Sequence, residues 1–132
     1  MANEISLEWI EDLRFEGRVG SSIVTIDGNG DLGTSPVDLL LESVGSCAAA
    51  DVVDILKKGR QDLQGLTVEV SADRREEHPR KVKRLVMKFR IRGPVDEGKA
   101  QRAVDLSLEK YCSVFHSLRM DIALDVDVVV SP

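Results

Sequence analysis

An α+β domain is predicted, with a mostly antiparallel sheet and two main helices packed on it. Three observations predict it. Period-two alternation recurs near both ends of the chain and in its middle, and one long stretch carries a helical stripe instead. The resulting order reads βββ-α-ββ-α-β, which is an α+β pattern rather than a doubly wound one. Finally, 132 residues with 42% hydrophobic content are enough for one core but not for two. A single domain is therefore expected over 1–132, with an N-terminal strand meander over 1–34 and a helix-bearing core over 35–132.

The elements follow in order. Ile5, Leu7 and Trp9 alternate with Glu4, Ser6 and Glu8, the period of a half-buried strand. The charged segment Glu11 to Arg18 pairs back as a second strand, and Ser22 to Asp27 forms a third. Asp27-Gly28-Asn29-Gly30 is a turn, not a phosphate-binding loop, because no helix opens directly behind it. Ser35 then caps a long helix, Pro36 takes its first position, and Asp38 falls three residues after the cap. Lys57 and Lys58 suit the negative end of its dipole, and Gly59 supplies the stop. Val37, Leu41, Val44, Ala48, Val52 and Ile55 share the stripe that must be buried.

Leu66, Val68 and Val70 mark a fourth strand, and Leu85, Met87, Phe89 and Ile91 a fifth. The run Asp73 to Lys81 mixes both signs and reads as the solvated hairpin joining them. Asp96 or a neighbour starts a second helix that buries Ala100, Ala103, Val104 and Leu108. Ile122, Leu124, Val126, Val128 and Val130 close the chain as a last alternating strand. Strands near 5–10, 66–76, 82–92 and 122–130 and a helix over 36–58 are the resulting expectation.

Composition excludes several classes of function. Lys+Arg 18 against Asp+Glu 23 leaves a net charge of -5, the wrong sign for a general nucleic-acid binder. No apolar run approaches the roughly 20 residues of a membrane span. Met1-Ala2-Asn3-Glu4 has neither the basic start nor the apolar core of a signal peptide, so a cytoplasmic location is expected. In that compartment thiols stay reduced, so the two cysteines, Cys47 and Cys112, are not a permanent structural disulfide. They are either inert buried thiols or a redox couple, and their residue context alone leaves both open.

Cys47 lies roughly 80–90° from the centre of its helix stripe, at an edge where partial access is retained. A free thiol has a pKa of about 8.5, so a nucleophilic Cys47 needs a cation nearby. Its own helix opposes this, because Asp51 stands at i+4 on the same face. The helix N-terminus is some three turns away and does not help. Cys112 follows Tyr111 near the end of the second helix, with His116 at i+4. That spacing suits zinc, but no second pair completes the usual four ligands, so no metal is expected. A catalytic Cys112–His116 pair would lack an orienting third group.

The stretch Ser35-Pro36-Val37-Asp38-Leu39-Leu40-Leu41-Glu42-Ser43-Val44-Gly45-Ser46-Cys47 resembles the cysteine-bearing helix of the OsmC/Ohr superfamily. The likeness continues through Asp51 to Asp62, through Arg74-Arg75-Glu76-Glu77-His78-Pro79 and through Ala103 to Val114, which holds Glu109-Lys110-Tyr111-Cys112-Ser113-Val114. These pieces are most similar to the YhfA-like branch. The resemblance implies an OsmC-like fold, an intertwined homodimer and a cysteine peroxidase of the oxidative stress response that takes organic hydroperoxides. In that scheme Cys47 becomes a sulfenic acid, Cys112 resolves it to a disulfide, and an external dithiol reduces the bond; no cofactor takes part.

Two positions depart from the family's pattern. The glutamate that follows the helix-opening proline in peroxidase members is Val37 here, and Asp38, nine residues before Cys47, points to the opposite side of the helix. The activating arginine of the N-terminal region has two candidate counterparts, Arg14 and Arg18, with Arg18 preferred. Slower peroxide reduction than in members with the complete pair is the consequence. The alternative is a small-molecule binding protein that uses the dimer cleft without turnover, and a third reading is a purely structural pair of thiols.

Overall fold

The structure is a computed structural model that describes residues 2–132; Met1, the first residue of the expected meander, lies outside the described residues. The chain divides into two compact units, the first ending at Leu40 and the second spanning Leu41–Pro132.

The first unit is an antiparallel meander of β1 (Ser6–Glu11), β2 (Arg14–Val19) and β3 (Ser22–Asp27), paired in that order. Both hairpins turn through two residues, which favours positive φ at the first of them. Asp12 meets this demand at φ 50° and Gly20 at φ 57°. After β3 the Asp27 carboxylate accepts the Asn29 and Leu32 N–H groups at 2.9 and 3.0 Å. Those backbone donors hold its pKa below the usual carboxylate value. Ile5, Leu7, Trp9, Ile23 and Val24 are all exposed on this unit.

Helix α1 (Pro36–Lys58) starts as its sequence predicts, with the Asp38 N–H donating to Ser35 Oγ at 3.2 Å. Its end corrects the expectation at Gly59. The left-handed residue is Arg60, at φ 60°, and the Gln61 N–H reaches the Leu56 carbonyl while the Arg60 N–H reaches Lys57. This is a Schellman closure in which the glycine sits one position too early to take the left-handed place. The buried stripe also differs at its end: Leu56 is buried, and Ile55 is only partly so.

In the second unit β4 (Gly65–Arg74) and β5 (Val82–Arg92) form an antiparallel hairpin, and β6 (Ala123–Ser131) runs parallel to β5 on its other side. The described strands thus make two three-stranded sheets, where sequence alternation alone suggested one. Leu85, Met87, Phe89 and Ile91 point from β5 to one face and are buried. Val44, Ala48, Val52 and Leu56 of α1 and Ala100, Ala103 and Val104 of α2 (Glu97–Leu106) close over Met87, Phe89 and Ile91 in one cluster. Asp96 caps α2, accepting the Lys99 N–H at 2.9 Å. The opposite face of the sheet is ionic, with Arg84 paired to Asp125 and Arg90 to Glu69. Gly45 lets α1 approach β4: a Cβ there would stand 2.9 Å from Val70 Cγ2.

The expected second helix does not run on to Cys112. After Leu106 the chain widens into a π-turn (Ser107–Tyr111), leaves helical geometry at Cys112, and resumes as a four-residue helix α3 (Ser113–His116). Cys112 itself has φ −71° and ψ 95°, so it sits on extended backbone between two helical pieces. Among the described residues no helix is long and apolar enough to cross a membrane.

Candidate active site

Both cysteines belong to the second unit and both are free thiols. Cys47 is half-buried on α1, at the stripe edge where its spacing placed it. Cys112 is fully buried. The break in helical backbone at Cys112 lets its side chain serve as the cap of α3: Sγ accepts the Phe115 N–H at 3.4 Å. On its other side the thiol donates to the Val44 carbonyl of α1 at 3.9 Å. Cys47 is a further hydrogen-bonding neighbour of this thiol. The structure therefore brings together two sulfurs that the sequence separates by 65 positions.

The electrostatics of the pair are asymmetric. Burial pushes the Cys112 thiol up to about 11, and the neighbouring Cys47 and Asp51 add to the rise while the Phe115 N–H opposes it. A thiol in that state is a poor spontaneous nucleophile near neutral pH.

Asp51 has a role that helical spacing did not reveal. Ser107, buried in the first position of the π-turn, donates from Oγ to Asp51 Oδ2 at 2.8 Å. The Ala48 carbonyl is a weaker second acceptor at 3.5 Å. The same Ser107 accepts the Cys112 N–H on its backbone carbonyl at 2.7 Å. Sequence reasoning missed Ser107, because a serine inside a helical pattern carries no signal of a five-residue backbone step. The only available hint was Asp51, a carboxylate on the partly buried side of α1.

His116 is not a partner of the Cys112 sulfur. Its side chain is exposed and its ring meets Phe115 edge-on at 5.8 Å, while the hydrogen bonds of Cys112 Sγ go to Val44 and Phe115. No group of three or more metal-ligating side chains occurs among the described residues. The two arginines named from the sequence lie in the first unit, each on a glutamate of its own sheet. Arg18 pairs with Glu16 at 2.7 Å and Arg14 with Glu11 at 2.6 Å. Arg14 also keeps a buried Nε with no hydrogen-bond partner among the described residues.

An α+β chain with a buried free thiol near a half-buried one on a long helix is what the fold and the site define. The model of the OsmC-like protein family matches residues 28–127, and the chain belongs to that family. It is 43% identical over 111 residues to Protein YhfA of Escherichia coli K12, covering 82% of this chain and 83% of that one. Among solved structures, a hypothetical protein from Aquifex aeolicus VF5 superposes with a TM-score of 0.93 at 33% identity, covering 99% of this chain and 97% of its own. An organic hydroperoxide resistance protein from Elizabethkingia anophelis shares the fold at a TM-score of 0.73 and 14% identity, with 99% of each chain covered.

Proposed function

We propose that this chain is a thiol-dependent peroxidase that reduces organic hydroperoxides through Cys47 and Cys112. The observation that carries the reading is the half-buried Cys47 thiol lying within hydrogen-bonding reach of the fully buried Cys112. Membership of the OsmC-like family supports it, as does the fold shared with an organic hydroperoxide resistance protein.

The chemistry balances in three steps. The Cys47 thiolate attacks the terminal peroxide oxygen, the O–O bond breaks, and the alkoxide leaves and takes a proton to become the alcohol. Cys47 is then a sulfenic acid, oxidised by two electrons. The Cys112 sulfur next attacks the Cys47 sulfur, the S–O bond breaks, and the hydroxide departs with the thiol proton as water. An external dithiol finally reduces the disulfide by exchange, returning both thiols. No cofactor enters these steps.

From the family resemblance, Arg18 is the preferred activating residue and Arg14 the competing choice. We further propose that the chain acts as a single domain in an intertwined homodimer, since the first unit exposes Ile5, Leu7, Trp9, Ile23 and Val24 together. Two free thiols suit a reducing compartment, which favours the cytoplasm.

The test is to treat reduced protein with cumene hydroperoxide and count thiols and alcohol product. Wild type should lose both thiols and release one alcohol per disulfide, whereas Cys47→Ser should do neither. Wild type that keeps both thiols while still binding hydroperoxide-like ligands would install the binding-protein reading instead. Sedimentation as a monomer at micromolar concentration would remove the dimer.

A further inference from the structure

We propose that Asp51 and Ser107 form a positioning pair for the resolving step: they fasten the π-turn to α1, seat the resolving thiol, and set a negative charge near it that slows its attack. This rests on the peroxidase reading and assigns a role to two residues outside the cysteine pair.

The geometry supports it at each link. Ser107 is fully buried, and its hydroxyl donates to Asp51 Oδ2 at 2.8 Å, joining α1 to the first residue of the π-turn. Its carbonyl accepts the Cys112 N–H at 2.7 Å, so one residue holds both the carboxylate and the backbone of the resolving cysteine. A π-turn is an unfavourable insertion that persists where surrounding contacts demand it, frequently at functional sites. Here it delivers Cys112 to extended backbone, from which Sγ faces α1 and donates to the Val44 carbonyl.

The charged surroundings of Cys112 are few. Cys47 and Asp51 of α1 are the titratable groups that act on it. The buried cluster that Cys112 joins contributes Met87 and Phe89 from β5 and Ala103 and Val104 from α2, all apolar. Glu109 and Lys110 of the π-turn and His116 of α3 are exposed. The partly buried Asp51 carboxylate adds to the rise of the Cys112 thiol, after burial and the neighbouring Cys47. Premature ionisation of Cys112 would let it react with peroxide directly and leave no resolving thiol. Once Cys47 carries a sulfenic hydroxyl, the S–O bond breaks as the S–S bond forms, and the Cys112 proton leaves in water.

The experiment uses the full reduced chain and one equivalent of cumene hydroperoxide, with dimedone to trap sulfenic acid and intact mass to count disulfide. Wild type, Asp51→Asn, Ser107→Ala and Cys47→Ser are compared from pH 5 to 10. Asp51→Asn keeps an oxygen to accept the Ser107 hydroxyl and removes only the charge. Its disulfide-forming step should shift to lower pH and run faster than wild type at pH 7. Ser107→Ala should retain Cys47 oxidation but raise the dimedone adduct at Cys47 at least about threefold, because the resolving thiol is no longer seated. Circular dichroism of each variant confirms the fold. An Asp51→Asn profile that overlays wild type, or a Ser107→Ala adduct no larger than wild type, overturns the pair's role. Wild type that forms neither adduct nor disulfide overturns the peroxidase reading itself, and the inference with it.

Discussion

Ser107 and Cys112 are joined by a 2.7 Å hydrogen bond from the Cys112 N–H to the Ser107 carbonyl, five residues back instead of four. That single extra residue turns the end of what reads as an ordinary helix into a presentation device. With a regular four-residue step, Cys112 would stay on helical backbone. Widened, the chain exits at Cys112, and Sγ caps the next helix while facing α1.

The thiols should differ sharply towards alkylating reagents. Cys47 is half-buried and Cys112 fully buried with a thiol pushed up to about 11, so iodoacetamide at pH 8 should modify Cys47 at least about tenfold faster. Peptide mapping after timed quenching reads the order. Equal rates would remove the asymmetry on which the division of roles rests.

The same thiol predicts an alkaline loss of stability. Cys112 is raised in the folded state from an ordinary value of 9.0 to about 11, so above pH 9 the unfolded chain ionises first and binds fewer protons than the folded one. Its contribution is therefore fully present below pH 9 and is lost as pH rises through 11. Denaturant midpoints of reduced wild type should fall between pH 8.5 and 11 more steeply than those of Cys112→Ala.

Gly45→Ala should destabilise despite the better helix propensity of alanine. The added Cβ would meet Val70 Cγ2 at 2.9 Å, and both γ-carbons of a valine are stiffly placed. Overpacking of about 1–3 kcal/mol should exceed the roughly 1 kcal/mol gained from propensity. In a Val70→Ala background the sign should reverse, because the obstructing methyl is gone. Urea melts of the four proteins complete the cycle.

Asp27→Ala should loosen the turn after β3, since the carboxylate accepts the Asn29 and Leu32 N–H groups. The pKa of Asp27 is lowered, so its support is present above the ordinary carboxylate range and disappears as pH falls through the lowered value. Amide exchange at Asn29 and Leu32 should accelerate in the variant at pH 6. The difference from wild type should shrink in strong acid.

Local physics made most elements legible. Ser35-Pro36 opens α1 and Asp96 caps α2 because capping depends on a few neighbouring residues, and the alternation of Leu85, Met87, Phe89 and Ile91 follows from the two-residue period of a strand. The sequence by itself also determined the family, since the motifs around Cys47 and Cys112 are contiguous stretches that match it. It placed Cys47 at the edge of the buried stripe by helical arithmetic alone. Only the tertiary structure decided that β6 lies parallel beside β5, that Arg60 and not Gly59 closes α1, and that Ser107 grips Asp51. The strand pairing and the Asp51–Ser107 hydrogen bond turn on contacts between segments distant in the chain, and the Arg60 closure on a left-handed backbone step that residue type alone assigned to glycine. Periodicity has no access to such choices, because a hydrogen bond between residues 51 and 107 is decided by how α1 and the π-turn pack, not by the residues next to either.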